Sequence, residues 1–393
     1  MPRLCTLSLL AGLAATPAAA QLNQQPPNAP DQQPAFDGQT RAPELTDGVH
    51  VKQDVVVSGF DHPWGMAALP DGGWVITERP GKMRILADGK LSEPLSGLPQ
   101  VDTRKQGGLL DVAVRDDFAQ TRRLWWSFAE PRDGGKTSTS VATGTLSADG
   151  TAISDVRVIF RQEPAWDSTM HYGSRLVFDA DGMLFVTTGE RSLPEPRKLA
   201  QDVNTHLGKV LRIDPETGRG LPGNPFAQGG GQPEIWSWGH RNLQAAALDG
   251  QGRLWTVEHG AKGGDELNMP QAGRNYGWPI ITYGEDYSGK PIGKGITAQD
   301  GMEQPVYYWD PVIAPSGLVF YDGAMFPEMR GDALIGGLKS QSLVRLKMSE
   351  GRVTGEQHLA EGIGRVRDVA VDADGSMLIL TDADDGALIR LTR

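Results

Sequence analysis

The chain has 393 residues, a formal net charge of −11, 50 glycines, 27 prolines and one cysteine. That balance excludes a protein that tracks a nucleic-acid backbone, which needs a basic face to release counterions. A lone cysteine excludes an internal disulfide framework.

The first residues read as a signal peptide over residues 1–20: Met1-Pro2-Arg3, an apolar run from Leu7 to Ala15, then Ala18-Ala19-Ala20 ahead of Gln21. Cys5 lies inside this leader, so the mature chain is expected to carry no thiol. No later segment is apolar and long enough to cross a bilayer as a helix, so the expected location is periplasmic or secreted, with no membrane span. Residues 21–48 are rich in Gln, Pro, Asn and Asp, as in Gln24-Gln25-Pro26-Pro27, and are expected to form a disordered tether.

From residue 49 on, one phrase recurs: alternating apolar residues, a Gly-containing turn, then a second apolar run. It is clearest from Trp64 through Asp71-Gly72 to Thr77, and from Ser174 through Asp181-Gly182 to Thr187. Further copies run from Asn242 to Val257, with Gln251-Gly252 at the turn, and from Arg367 to Leu380, with Asp374-Gly375 there; weaker ones begin near Leu109 and near Ser316. Each copy predicts a hairpin, because Asp-Gly supplies the positive φ angles of a tight turn. The six copies start roughly 45 to 75 residues apart, the spacing of four-stranded blades with insertions. The expected fold is all-β, a six-bladed β-propeller with four-stranded antiparallel blades forming one domain over residues 49–393. Two stacked sheets suit six similar units less well. The last strand, Ala387 to Leu391, should be joined by Val51 to Val57, closing the ring and leaving few open edges.

Polar groups beside these strands are the candidates for chemistry. Gln106 precedes two glycines and a strand. His171 stands immediately before an inner strand and Glu190 just past that hairpin's far end. An antiparallel hairpin brings its ends together, and a carboxylate can orient an imidazole and raise its basicity; taken alone, a histidine before a strand is more often a hydrogen-bonded loop residue. The stretch Gly239-His240-Arg241-Asn242, followed by Glu258-His259-Gly260-Ala261 and Gly263-Gly264-Asp265-Glu266, offers carboxylates and carbonyl-rich turns that suit a hard cation such as calcium; a solvated loop reads equally well. Lys339, Arg365 and Arg367 form a basic group in an acidic protein, with the two arginines two apart on a predicted strand. Such a group suits a multivalent anion; a surface salt-bridge network is the other reading.

In their order, His62-Pro63-Trp64-Gly65-Met66, Gln106-Gly107-Gly108-Leu109-Leu110, Gly239-His240-Arg241-Asn242, Gly263-Gly264-Asp265-Glu266-Leu267-Asn268, Asn275-Tyr276-Gly277-Trp278-Pro279 and Ala314-Pro315-Ser316-Gly317 resemble the glucose/sorbosone dehydrogenase family, over nearly all of Val51 to Arg393. These are soluble aldose sugar dehydrogenases that use pyrroloquinoline quinone (PQQ). The resemblance implies oxidation of an aldose at C1 to its lactone, with hydride passing to the quinone and His171 as general base. It implies that Glu190, where other members carry Asp, orients His171, and that Arg241 stabilises charge on the quinone oxygens. Gln106, Asn242, His259, Lys339, Arg365 and Arg367 would hold the cofactor; His259 stands where some members carry Gln. Carbonyls of Gly260 and Ala261 would ligate a Ca2+ ion, and Glu266 and Tyr276 match a second calcium site. Partners are then an aldose sugar and an unidentified electron acceptor, with no nucleic acid, in a monomer or weak dimer. Two other readings remain: a ring that only binds glycans or proteins, and a calcium-dependent lactonase. Neither needs a basic cradle together with a histidine base.

Overall fold

The computed structural model describes residues 25–70 and 72–393. The leader, Gln21 to Gln24 and Asp71 of the first predicted turn lie outside the described residues. Six sheets stand around a common axis, each with its first strand innermost. Blade one comprises strands Pro63–Ala68, Trp74–Glu78, Lys82–Ala87 and Lys90–Leu91. Blade two comprises Leu109–Val114, Arg123–Pro131, Thr137–Leu146 and Ile153–Arg161. Blades three, four and five begin with Gly173–Phe178, Leu243–Leu248 and Pro315–Phe320. Blade three has a fifth, two-residue strand, Arg274–Asn275, added in parallel.

Blade six completes the ring as expected. Its strands Val366–Val371, Met377–Thr381 and Gly386–Thr392 are joined at the outer edge by Lys52–Phe60, with Lys52 opposite Thr392. The predicted hairpins form, and their turns show a device the Asp-Gly reading overlooked. At the third blade Asp179 accepts hydrogen bonds from Asp181 N and Met183 N (both 2.9 Å), so an aspartate ahead of Asp181-Gly182 organises the loop. Asp249 does the same in blade four, for Gln251 N and Arg253 N.

The blades pack through apolar faces in which Trp125, Trp126, Trp255 and Trp309 are fully buried. Dense packing between neighbours fixes the relative height of the inner strands. All six inner strands lose regular register near the start, for example between Pro63 and Met66, Leu109 and Val112, and Val366 and Asp368. Such bulges re-aim side chains, here at one end of the ring.

The expectation of a disordered tether is corrected from Asn28 onward. The amides of Asn28 and Ala29 donate to the Asp310 carboxylate, Gln39 is fully buried with its side-chain amide donating to Pro305 O (3.0 Å), and Leu45 N donates to Glu356 O. Low hydrophobicity is a poor guide here, because hydrogen bonds hold much of the segment.

Candidate active site

At the bulged ends of the inner strands, polar side chains of several blades meet near the axis. The lowest layer is an ion network: Arg175 of blade three lies 3.0 Å from Asp111 of blade two and 3.0 Å from Asp368 of blade six. Asp111 also accepts from Leu176 N (2.7 Å) and Asp368 from Met66 N (2.9 Å), so each carboxylate stitches its blade to the next. Gly317 makes room for Asp368, whose Oδ1 would sit 2.3 Å from a Cβ at that position. The Trp64 ring covers the Arg175 guanidinium at 4.6 Å. Burial, eased by Arg175 and worsened by Asp368, pushes Asp111 up to about 7.

Above this floor is a cavity of about 130 Å3 lined by Trp64, Arg79, Gln106, Tyr172, Asn242, Gln244, His259, Leu338, Arg365, Arg367 and Asp382. Of the predicted residues, Gln106, Asn242, His259, Arg365 and Arg367 border it. Lys339 does not; it is exposed, one residue beyond the lining Leu338. Arg365 and Arg367 both reach Asp382 (3.4 and 2.7 Å), which also meets His62 Nδ1 at 2.8 Å. Burial works against the charged Asp382, yet Arg367, His62 and Arg365 hold its carboxyl well below the usual range. Arg367 also donates to Gln244 Oε1 (3.1 Å). A larger hollow, about 440 Å3, lies at the outer edge of blade five between His50 and His358 and gathers no arginines.

His171 and Glu190 are neighbours, as the hairpin argument required: His171 Nδ1 lies 3.0 Å from Glu190 Oε1, with both side chains almost wholly buried. The extra methylene of Glu190 is absorbed without loss of contact, and its other oxygen accepts from Ser192 N. Three features fix the main chain that carries the imidazole. The His171 N–H donates to Gln106 Oε1 (2.8 Å), Arg191 supports its carbonyl, and Gly189 leaves room for that carbonyl, 2.0 Å from where a Cβ would be. His171 Nε2 has no hydrogen bond among the described residues. Burial and the Arg241 guanidinium hold the imidazole below its ordinary pKa, opposed by Glu190. Burial raises the Glu190 carboxyl, but His171 and Arg241 bring the net shift below the usual value.

Arg241 is anchored by its own N–H to Glu258 Oε2 and by Nη1 to His259 O (3.0 Å), and it lies over the Trp278 ring at 5.2 Å. Asn242 Oδ1 accepts from Gly173 N (3.1 Å). His259 Nε2 lies 2.7 Å from Pro315 O, and burial pushes this imidazole down to about 3.

Beyond Arg241 a second hollow of about 10 Å3, room for about one water or ion, is bordered by Glu258, Gly260, Gly264, Glu266 and Tyr276. Burial and the charge of Glu258 push the Glu266 carboxyl well above its usual value. Ala261 lies outside the lining, and the Tyr276 hydroxyl is committed to Met269 O (2.8 Å) and Gln271 N (3.0 Å). Among the described residues no three His, Cys, Asp or Glu groups converge to hold a metal. A cation there would draw on the two carboxylates and on carbonyl oxygens, a hard donor set.

Trp64, Gln244 and Asp382 were missed as site residues. Trp64 was legible only as part of a blade's opening phrase, and Asp382 as one of several turn carboxylates. The donor set fits a bound anion: the Nε atoms of Arg79, Arg241 and Arg367 are buried without hydrogen-bond partners among the described residues. Arg79, Arg365 and Arg367 face one carboxylate, Asp382, among the cavity's lining residues.

A sequence profile described as glucose/sorbosone dehydrogenase matches residues 60–390. The aldose sugar dehydrogenase YliI of Escherichia coli strain K12 is 42% identical over 349 residues, which are 87% of this chain and 93% of that protein. Quinoprotein glucose dehydrogenase B of Acinetobacter calcoaceticus is 26% identical over 260 residues, 60% of this chain and 54% of that one. Among solved structures, the soluble aldose sugar dehydrogenase of E. coli in its apo form superimposes with a TM-score of 0.82 at 40% identity, covering 87% of this chain and 99% of that one. The PQQ-bound aldose sugar dehydrogenase of Streptomyces coelicolor does so with a TM-score of 0.72 at 27% identity, covering 87% and 98%.

Proposed function

The chain belongs to the glucose/sorbosone dehydrogenase family and is an oxidoreductase of the sugar dehydrogenase type, and from that premise we propose that it oxidises aldoses at C1 to lactones with PQQ and calcium. The observation that carries this reading is a guanidinium-rich cavity next to the His171–Glu190 pair, the two joined by Gln106, which borders the cavity and accepts from the His171 backbone N–H, in a chain of net charge −11. When bound, PQQ would supply the two-electron acceptor and calcium the polarisation of a quinone oxygen. Everything else falls to the protein.

His171 takes the proton of the sugar's C1 hydroxyl at Nε2. Its Nδ1–H donates to Glu190, which keeps the lone pair on the nitrogen that has no partner among the described residues. Burial and the charge of Arg241 both disfavour an imidazolium, and the same guanidinium offsets negative charge developing beside it. Arg365 and Arg367 would bind the cofactor's carboxylates, with Asp382 keeping the two forks together. Gln106 and Asn242 position cofactor and sugar; Lys339, outside the cavity lining, is at most a contact at its mouth. Carbonyls of Gly260 and Ala261 would hold the calcium, and a second ion would be bordered by Glu266 and by Tyr276, whose hydroxyl is already committed to Met269 O and Gln271 N. The leader sequence supports export, with a mature chain beginning at Gln21.

Purified apo-protein given PQQ and calcium should reduce a dye when offered aldoses. A flat trace with every sugar, from protein that is folded and has bound the quinone, would transfer the reading to a binding-only ring.

Glu190→Gln tests the pair directly. It keeps a hydrogen-bonding group and removes the charge that raises the basicity of His171, while Arg241, Arg191 and His259 still face the ring. The acid limb of kcat, already below the ordinary imidazole value, should move to lower pH, and turnover should fall about tenfold or more. An unmoved limb would sever Glu190 from the base.

A further inference from the structure

Arg79 sits on the cavity's cationic wall, outside every phrase that carried the family resemblance. It follows strand Trp74–Glu78 of blade one, and its main chain is fixed: its N–H donates to His62 O (3.0 Å) and its carbonyl accepts from Leu109 N (3.1 Å). Gly108 makes that second contact possible, since a Cβ there would lie 2.2 Å from the Arg79 carbonyl. The base of the side chain is therefore held at the junction of blades one and two.

The guanidinium is far less committed. Its sole hydrogen bond among the described residues runs from Nη2 to Lys105 O (2.6 Å), and Nε is buried with no partner. No carboxylate lies within ion-pair distance of it among the described residues, whereas Arg365 and Arg367 share Asp382. It is close enough to the others that its charge lowers the basicity of Arg367. Five N–H donors on a fixed cation, one of them engaged, beside two more cations, form an arrangement that opposes folding of the empty ring and is relieved by a multivalent anion.

We propose that Arg79 is a binding residue for the carboxylates of the quinone cofactor, a third guanidinium contributed by blade one to the cradle that Arg365 and Arg367 build from blade six. The inference rests on reading the cavity as the PQQ site. A purely structural alternative would be that Arg79 serves to tie down the 102–107 loop through Lys105 O.

Arg79→Gln separates the two, because glutamine keeps a donor for the carbonyl and discards the charge. In the full-length apo-protein with calcium present, titrated with PQQ and followed by quenching of tryptophan fluorescence, the variant should bind about 10- to 100-fold more weakly. Its affinity should depend less on salt. The trimethyl ester of PQQ, which lacks the carboxylate charges, should bind the variant and the parent alike. The variant's apo form should unfold at the same temperature as the parent or a higher one, since a like-charge contact has gone. Arg79→Lys should recover part of the PQQ affinity. Binding of PQQ within twofold of the parent, or an apo-protein that melts lower, would overturn the proposal. A parent protein that takes up no PQQ would remove the underlying reading of the cavity, a failure distinct from a parent that binds and a variant that binds equally well.

Discussion

Replacing His171 should lower turnover about a hundredfold to ten-thousandfold, the range that an aligned general base contributes. The ring should stay folded, because the imidazole's one hydrogen bond among the described residues goes to Glu190 and its neighbours are held by their own backbone contacts. His171 has a positive φ of 50°, a conformation that costs an alanine about 1 kcal/mol. Asparagine tolerates that backbone, so His171→Asn isolates the chemistry from the strain. Steady-state dye reduction and a thermal melt on both variants give the answer. Turnover within a few-fold of the parent in His171→Asn would remove the histidine from its assigned role. KM should change much less than kcat, since the base is needed chiefly as the proton leaves.

The largest effect on stability is expected at Arg175. Arg175→Met leaves Asp111 and Asp368 buried with no cation between them, and breaking a buried ionic group in this way costs about 3–5 kcal/mol. The penalty should depend on pH, with a definite sign. The folded-state value of Asp111, about 7, lies above its ordinary 3.8. A carboxyl raised in this way favours folding below its unfolded value and loses that contribution as pH climbs through the folded one. Arg175 lowers the Asp111 value, so its removal raises it further and widens the window. Denaturant unfolding should therefore show a smaller loss near pH 4 than at pH 8, and Asp111→Asn in the same background should restore part of it. An equal loss at both pH values would mean that the arginine acts through packing beneath Trp64 and not through charge.

The architecture was legible because each blade repeats one hairpin grammar, and the closing strand could be found from the unpaired Val51 to Val57 run. The His171–Glu190 contact was legible for the same reason, as two ends of one hairpin. What the sequence hid lies at the bulges. Counting two residues per side-chain period brought Arg365 and Arg367 to one face, and both do reach Asp382. The same arithmetic breaks between Val366 and Asp368, and it offers no route to Asp111, Arg175 and Asp368 meeting from three blades. Such contacts depend on the heights of neighbouring strands, which are fixed by packing between blades. The 28–47 segment was misread for a different reason: composition registers apolar burial and is blind to backbone amides captured by Asp310.

The pairing of Lys52–Phe60 with Gly386–Thr392 also constrains how the chain is made. A chain delivered from its N-terminus presents the first partner long before the second, and every intermediate length offers unpaired strand edges at both the first and the newest blade. The latch that shuts the circle is delivered last, so the time spent with those edges bare is set by how fast the chain reaches the compartment where it folds, and holdase chaperones would find their clients in that interval.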